Sequence, residues 1–262
     1  MNLLRFTTLL AALLLTSPQL LGQHSPRTIH VFVALADNVN QGIVPVARIL
    51  GNGEDPEHNL YLGSAYGVKT FFSRSPDWKL LSCGQKPKHE VLDRCIFKYR
   101  AADVYLVADA YRGREIQTAI QNFFDASAGL SWEQLKIKDG LQEVVLNVLG
   151  GSNLVAYIGH DGLMDFRLPR IPLRKNDVSR EAIILACASK IYFAKPLRAS
   201  GAYPLLWTTN LMAPEAYTLK SALDGWILGE SNDKIRERAA AAYDKYQKCG
   251  LNAARRLMAT GR

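Results

Sequence analysis

His160 and Cys187 are the residues of this 262-residue chain whose types and placing could do chemistry. They stand 27 residues apart, and each closes a short apolar run, LVAYIG before His160 and IILA before Cys187. A thiol beside an imidazole has the parts for nucleophilic acyl transfer. The base removes the thiol proton, or holds the thiolate as an ion pair, and the sulfur attacks a carbonyl carbon. Main-chain N–H groups at Gly162 and Cys187 are candidate donors to the oxyanion that forms. If Ser189–Leu197 is helical, its N-terminal dipole favours the thiolate further.

The elements that must position this pair read as strands of a parallel sheet. Five apolar runs recur, each bounded by turn residues: Ile29–Ala36, Val104–Ala108, Leu154–Gly159, Ile183–Cys187 and Tyr203–Thr208. They are continuous rather than alternating, as strands buried on both faces are. Helical patterns fall between several of them: Arg114–Ala128, Leu141–Leu149, a helix opening at Pro214 and running to about Leu228, and a last one from Asp233 to about Met258. Strands alternating with helices predict an α/β three-layer sandwich with a mainly parallel sheet, strand order 2-1-3-4-5 and right-handed crossovers. Residues 38–100 fit this alternation less well. They are expected to hold a helix around Leu62–Phe72 and then an irregular or hairpin excursion over 73–100. Pro169 and Pro172 argue for a crossover that is mostly loop between Gly159 and Ile183.

In an open parallel sheet, ligands bind beyond the carboxyl ends of the strands. All five runs end in polar residues there, at Asp37–Asn38, Asp109, His160–Asp161, Cys187–Ala188–Ser189 and Thr208–Thr209–Asn210. Any loop supplies one such ending; five together point to a site. In the 2-1-3-4-5 order Asp37 is expected beside His160, where a carboxylate could orient the imidazole or receive a basic substrate side chain. Asp109 is expected to serve similarly on the far side.

The texts VAYIGHDG and IILACAS, followed by YFAKPLRASGAYPLLWTT, resemble the caspase–haemoglobinase fold, which covers caspases, legumains, gingipains, separases and the CHAT proteases. These peptidases show an apolar strand ending in His-Gly and a later one ending in a small residue followed by the catalytic cysteine. The resemblance spans roughly Val104–Asn210. It implies a caspase-like fold, a protein or peptide substrate, His160 as catalytic histidine, Cys187 as nucleophile and Gly162 as oxyanion glycine. Asp161 stands between His160 and Gly162, where those families place glycine directly after histidine.

The remaining features bound the reading. The amino-terminal run Leu9–Leu15, preceded by Arg5 and followed by Ser17, Pro18 and Gly22, reads as a signal peptide over residues 1–22. Residues 23–262 are then expected to be one exported α/β domain, periplasmic or extracellular, with no membrane anchor after cleavage. The net charge of +8 comes from scattered Lys and Arg with acids between them, without a basic run interleaved with aromatics, so nucleic acid is not an expected partner. Of the four cysteines, Cys83 and Cys95 are expected to pair across a loop. Cys249 reads as a helix-packing residue, although a Cys187–Cys249 bridge would take the thiol out of play. No cofactor is implied. Two alternatives stand beside the cysteine hydrolase: a non-catalytic ligand-binding module on the same fold, and a metal-dependent hydrolase using Asp37, Asp109 and His160, with Asp161 and Asp165 nearby.

Overall fold

A computed structural model describes residues 25–261; the amino-terminal run read as a signal peptide lies outside them. In chain order the strands are β1 (Arg27–Ala34), β2 (Trp78–Gln85), β3 (Val91–Tyr99), β4 (Val104–Tyr111), β5 (Trp132–Asp139), β6 (Gln142–Leu149), β7 (Leu154–Ile158), β8 (Glu181–Leu185), β9 (Tyr203–Thr208) and β10 (Met258–Ala259). The α-helices are α1 (Val68–Arg74), α2 (Ile116–Ser127), α3 (Ser189–Tyr192), α4 (Ala194–Ser200), α5 (Ala216–Ile227), α6 (Asn232–Gln247) and α7 (Leu251–Leu257).

Eight strands form one mainly parallel sheet in the order β10-β9-β8-β7-β1-β4-β3-β2. The five apolar runs are its parallel centre, β9-β8-β7-β1-β4. They are continuous because both faces are covered. Ile29, Val31 and Val33 of β1 pack with residues of α1, α5, α6 and α7 on one side. Phe32 and Ala34 of the same strand meet α2, α4 and the β5–β6 hairpin on the other. Side chains alternate between faces along a strand, so an apolar layer on each side demands an apolar residue at every position. The result is an α/β sandwich.

The stretch 73–100 is an antiparallel hairpin, β2–β3, that extends the sheet beyond β4 and is closed by a Cys83–Cys95 disulfide. The expected helix around Leu62–Phe72 is confined to α1, preceded by turns from Asp55 to Gly67. The helix expected over Leu141–Leu149 is instead β6, paired with β5 in a separate two-stranded sheet. Asp139 pairs with Gln142 across the two-residue loop Gly140–Leu141, in which Gly140 has φ +63° and supplies the positive φ that such hairpin turns require. Val144, Val145 and Val148 then fit a strand better than a helix, because branching at Cβ suits a pleated surface. The single terminal helix expected from Asp233 to Met258 breaks into α6 and α7, with Lys248 and Gly250 both at positive φ between them. Between β7 and β8 the crossover is loop apart from one 3₁₀ turn, Gly162–Met164. Among the described residues no helix is long and apolar enough to cross a membrane.

Candidate functional site

The carboxyl ends of β7 and β8 bring the two candidate residues to the same level. Ile158 and Leu185 are register partners in these adjacent parallel strands, and Gly159 N–H continues the ladder to the Leu185 carbonyl at 3.3 Å. His160 and Cys187 each follow two residues later. Ile158 and Leu185 face the same core layer. Gly159 makes the exit from β7 possible. Its φ is +156°, and a Cβ there would lie 3.0 Å from both the Ala34 side chain and carbonyl.

The turn carrying Cys187 is held from below. Ala188 takes the left-handed conformation at φ 46°, which costs a residue with a Cβ about 1 kcal/mol. Hydrogen bonds offset that cost. Ala188 N–H reaches the Asn210 carbonyl at 2.9 Å, Ser189 Oγ donates to the Ile184 carbonyl at 3.1 Å, and Ser189 and Thr208 hydroxyls meet at 3.0 Å. Thr208 Oγ1 also donates to the Ala186 carbonyl. The helix expected over Ser189–Leu197 is divided into α3 and α4, and a four-residue α3 supplies little dipole to the sulfur.

Cys187 is half-buried and is a free thiol, as is Cys249, so no bridge joins them. The sulfur rests against one peptide: Met212 N–H donates to Sγ at 3.4 Å, and the Sγ–H points to the Met212 carbonyl at 3.6 Å. Burial raises the thiol pKa, and a negative charge on Asp161 raises it further, against the lowering by the Met212 N–H. The resting sulfur is therefore a neutral thiol. Tyr61, whose hydroxyl is also pushed up by burial, stands close enough to feel charge on Cys187.

His160 is nearly buried, at 8% exposure, and its Nε2 lies 2.6 Å from Asp165 Oδ2. The 3₁₀ turn folds Asp165 back beneath the ring, and the same carboxylate accepts Gly42 N–H at 3.3 Å. The imidazole's carboxylate partner is thus Asp165 rather than the expected Asp37. No hydrogen bond joins His160 to Cys187 among the described residues. Gly162, the expected oxyanion glycine, donates its N–H to the His160 carbonyl at 3.0 Å, because Asp161 at φ −78°, ψ 84° closes an inverse γ-turn there; that donor is already committed.

The other expected ligand-binding carboxylates are placed differently. Asp37 Oδ1 accepts Val39 and Asn40 N–H at 2.9 and 3.1 Å, and Oδ2 accepts Asn40 Nδ2 at 2.8 Å, an Asx turn that starts the loop after β1. It does line an open pocket with Asn40, Arg48, Gly53 and Glu54. Asp109 is sealed in the interior. Arg94, itself buried, grips it with Nε at 2.6 Å and Nη2 at 2.8 Å, and His30 Nε2 lies 3.2 Å away. Burial alone would raise this carboxyl, yet Arg94 and His30 hold it down to about 2. Asp109 is a structural anion out of reach of a substrate, which corrects the binding role expected of it. Asp37, Asp109 and His160 accordingly form no metal cluster. The ligand-type side chains that gather among the described residues are Cys83, Asp93 and Cys95, and two of these are consumed by the disulfide.

Asp161, expected at this strand end, turns inward. It is fully buried; Oδ1 accepts Leu163 N–H at 3.0 Å, while Oδ2 has no partner. Burial raises its pKa to about 7, with the nearby Asp165 charge adding to the effect and the Leu163 and Met164 N–H groups opposing it. Asp165, expected only near a metal, is legible in HDGLMD as the imidazole's partner, because one tight turn after the histidine returns the chain to it. Met212 and Tyr61 come from distant segments and carry no local signal.

Compared with known proteins, the chain matches no family model, no curated protein and no solved structure.

Proposed function

We propose that this chain is an exported cysteine hydrolase on a caspase-like α/β scaffold, acting on protein or peptide substrates. Cys187 is the nucleophile, His160 its base, and Asp165 the carboxylate that orients the imidazole. The observation that carries the reading is the equal register of His160 and Cys187 at the carboxyl ends of neighbouring parallel strands, with the ring already paired to a carboxylate at 2.6 Å. In the reaction, substrate displaces the thiol from Met212 and the imidazole takes its proton. The sulfur attacks the scissile carbonyl, the leaving amine receives the proton from the imidazolium, and water attacks the thioester with His160 again as base. A carboxylate behind the ring stabilises the imidazolium that each step passes through. The Cys83–Cys95 disulfide supports an oxidising compartment.

A second reading, a non-catalytic binding module on the same scaffold, is favoured by the committed Gly162 N–H and the neutral, peptide-bound thiol. One experiment separates the two. In a Cys249→Ser background, the protein is incubated with a panel of peptidyl acyloxymethyl ketones and the adducts are mapped by mass spectrometry. The hydrolase forms an adduct at Cys187 that His160→Ala abolishes. No adduct, or one indifferent to His160, leaves the binding module.

A further inference from the structure

The chain's excess positive charge, which looks scattered along the sequence, is gathered by the fold onto one side. Residues 166–200 carry eight of the 32 Lys and Arg but two of the 24 Asp and Glu, so +6 of the net +8 falls there. The stretch comprises most of the crossover from β7, then β8, α3 and α4. Leu168 of the crossover and Leu197 of α4 pack into the same core layer, so both segments lie on the α2 side of the sheet. They also touch each other, Arg174 N–H reaching the Ala199 carbonyl at 3.0 Å. Lys175 N–H reaches the Ala128 carbonyl, at the end of α2, at 2.9 Å.

Most of these cations are free. Arg170 pairs with Asp125, Arg174 with Asp177, and Arg180 is buried on the Gly150 carbonyl. Arg167, Lys175, Lys190, Lys195 and Arg198 meet no carboxylate within salt-bridge reach among the described residues. Glu181, the second acid of the stretch, accepts the Trp226 indole N–H on the opposite, α5 side. Exposed aliphatic side chains stand between the cations: Leu173 at 70%, Ile191 at 69%, and also Ile171 and Val178. Lys190 and Arg198 further flank a cavity of about 90 Å³ walled by Ala194, Leu197, Pro204 and Trp207.

We propose that this side of the molecule binds the surface of an anionic lipid bilayer, peripherally and reversibly. The cations draw it to phosphate headgroups, each strengthening binding by roughly fivefold. The aliphatic side chains then enter the boundary between headgroups and acyl chains, where their removal from water is favourable. A soluble polyanion would engage the cations but leave Leu173 and Ile191 in water, which is why the surface fits lipid better. Nothing in this binding depends on the chemistry of Cys187.

The test is flotation with vesicles of equal parts phosphatidylglycerol and phosphatidylcholine, and with phosphatidylcholine alone. The protein is used from residue 23 on, because the apolar run Leu9–Leu15 would itself partition into lipid and every described element lies beyond it. It should float with the anionic vesicles at low salt, leave them at high salt, and ignore the neutral ones. Lys175→Ser/Lys195→Ser/Arg198→Ser should weaken binding by roughly tenfold or more. Leu173→Ser/Ile191→Ser should weaken it by roughly tenfold while leaving retention on immobilised heparin unchanged. All five side chains are exposed, and circular dichroism checks that the variants fold. Failure to float with anionic vesicles, or equal flotation with neutral ones, overturns the proposal. So does a charge variant that floats like the parent, which would place the binding elsewhere. A Leu173→Ser/Ile191→Ser variant that floats like the parent overturns it too, leaving a site for a soluble polyanion such as an acidic protein.

Discussion

Arg94 and Asp109 show what a single buried pair asks of its surroundings. The guanidinium is 2% exposed and meets Asp109 on two nitrogens while Glu133 takes a third contact at 2.9 Å from the half-open side. His30, wholly buried, completes the set from β1. Removing charges from water is expensive, and such a pair is retained only where every partner is present. Arg94→Leu should therefore cost about 3–5 kcal/mol, because it strands the Asp109 carboxylate in the interior. Urea denaturation at pH 7 measures this, and a loss under about 1 kcal/mol would mean that the pocket admits water or that Asp109 takes up a proton instead. The same network explains why the chain alone points to a ligand role for Asp109. An acid at the end of an apolar strand looks like a ligand until its cation, placed on an added hairpin strand, is known.

At the scale of elements, the β2–β3 hairpin depends on its cross-link. Cys83 sits in an outer strand of the sheet and Cys95 in its buried neighbour. Closing this short loop limits the unfolded chain, so Cys83→Ser/Cys95→Ser should lose about 2–3 kcal/mol in chemical denaturation, with a native-like circular dichroism spectrum. A variant as stable as the parent would place the hairpin's stability in β3–β4 pairing alone. Legibility follows the same division between local and distant causes. The parallel centre is readable because strands packed on both faces must be apolar throughout, and His160 and Cys187 are readable as the residues that end two of them. The β5–β6 hairpin is concealed because Val144, Val145 and Val148 satisfy a helical spacing as well as a strand; Gly140, opening the two-residue loop, is the local signal. Lys248 and Gly250 break the last helix by backbone conformation, which an alanine- and lysine-rich composition masks. The partners that hold the sulfur are hidden for another reason. Met212 lies 25 residues beyond Cys187 and is brought back only by the passage of the chain through β9.

The whole molecule balances two buried carboxyls that respond to pH in opposite senses. Asp109 titrates near 2 in the folded chain, below its ordinary 3.8, so it adds stability that is complete above pH 4 and disappears as pH falls through 2, an effect of about 2 kcal/mol. Asp161 titrates near 7, above the same reference. Between pH 4 and 7 the folded chain keeps a proton there that the unfolded chain has released. Native proteins that bind the extra proton lose stability as pH rises, here by up to about 4 kcal/mol across that window. Stability should therefore be greatest around pH 4–5 as far as these two groups govern it, and decline toward neutrality. Asp161→Asn removes the second contribution alone. Its urea midpoint should hardly change from pH 5 to 8 while that of the parent falls, so that the variant overtakes the parent at the alkaline end. Parallel curves for the two proteins would mean that the Asp161 carboxyl does not hold its proton into the neutral range.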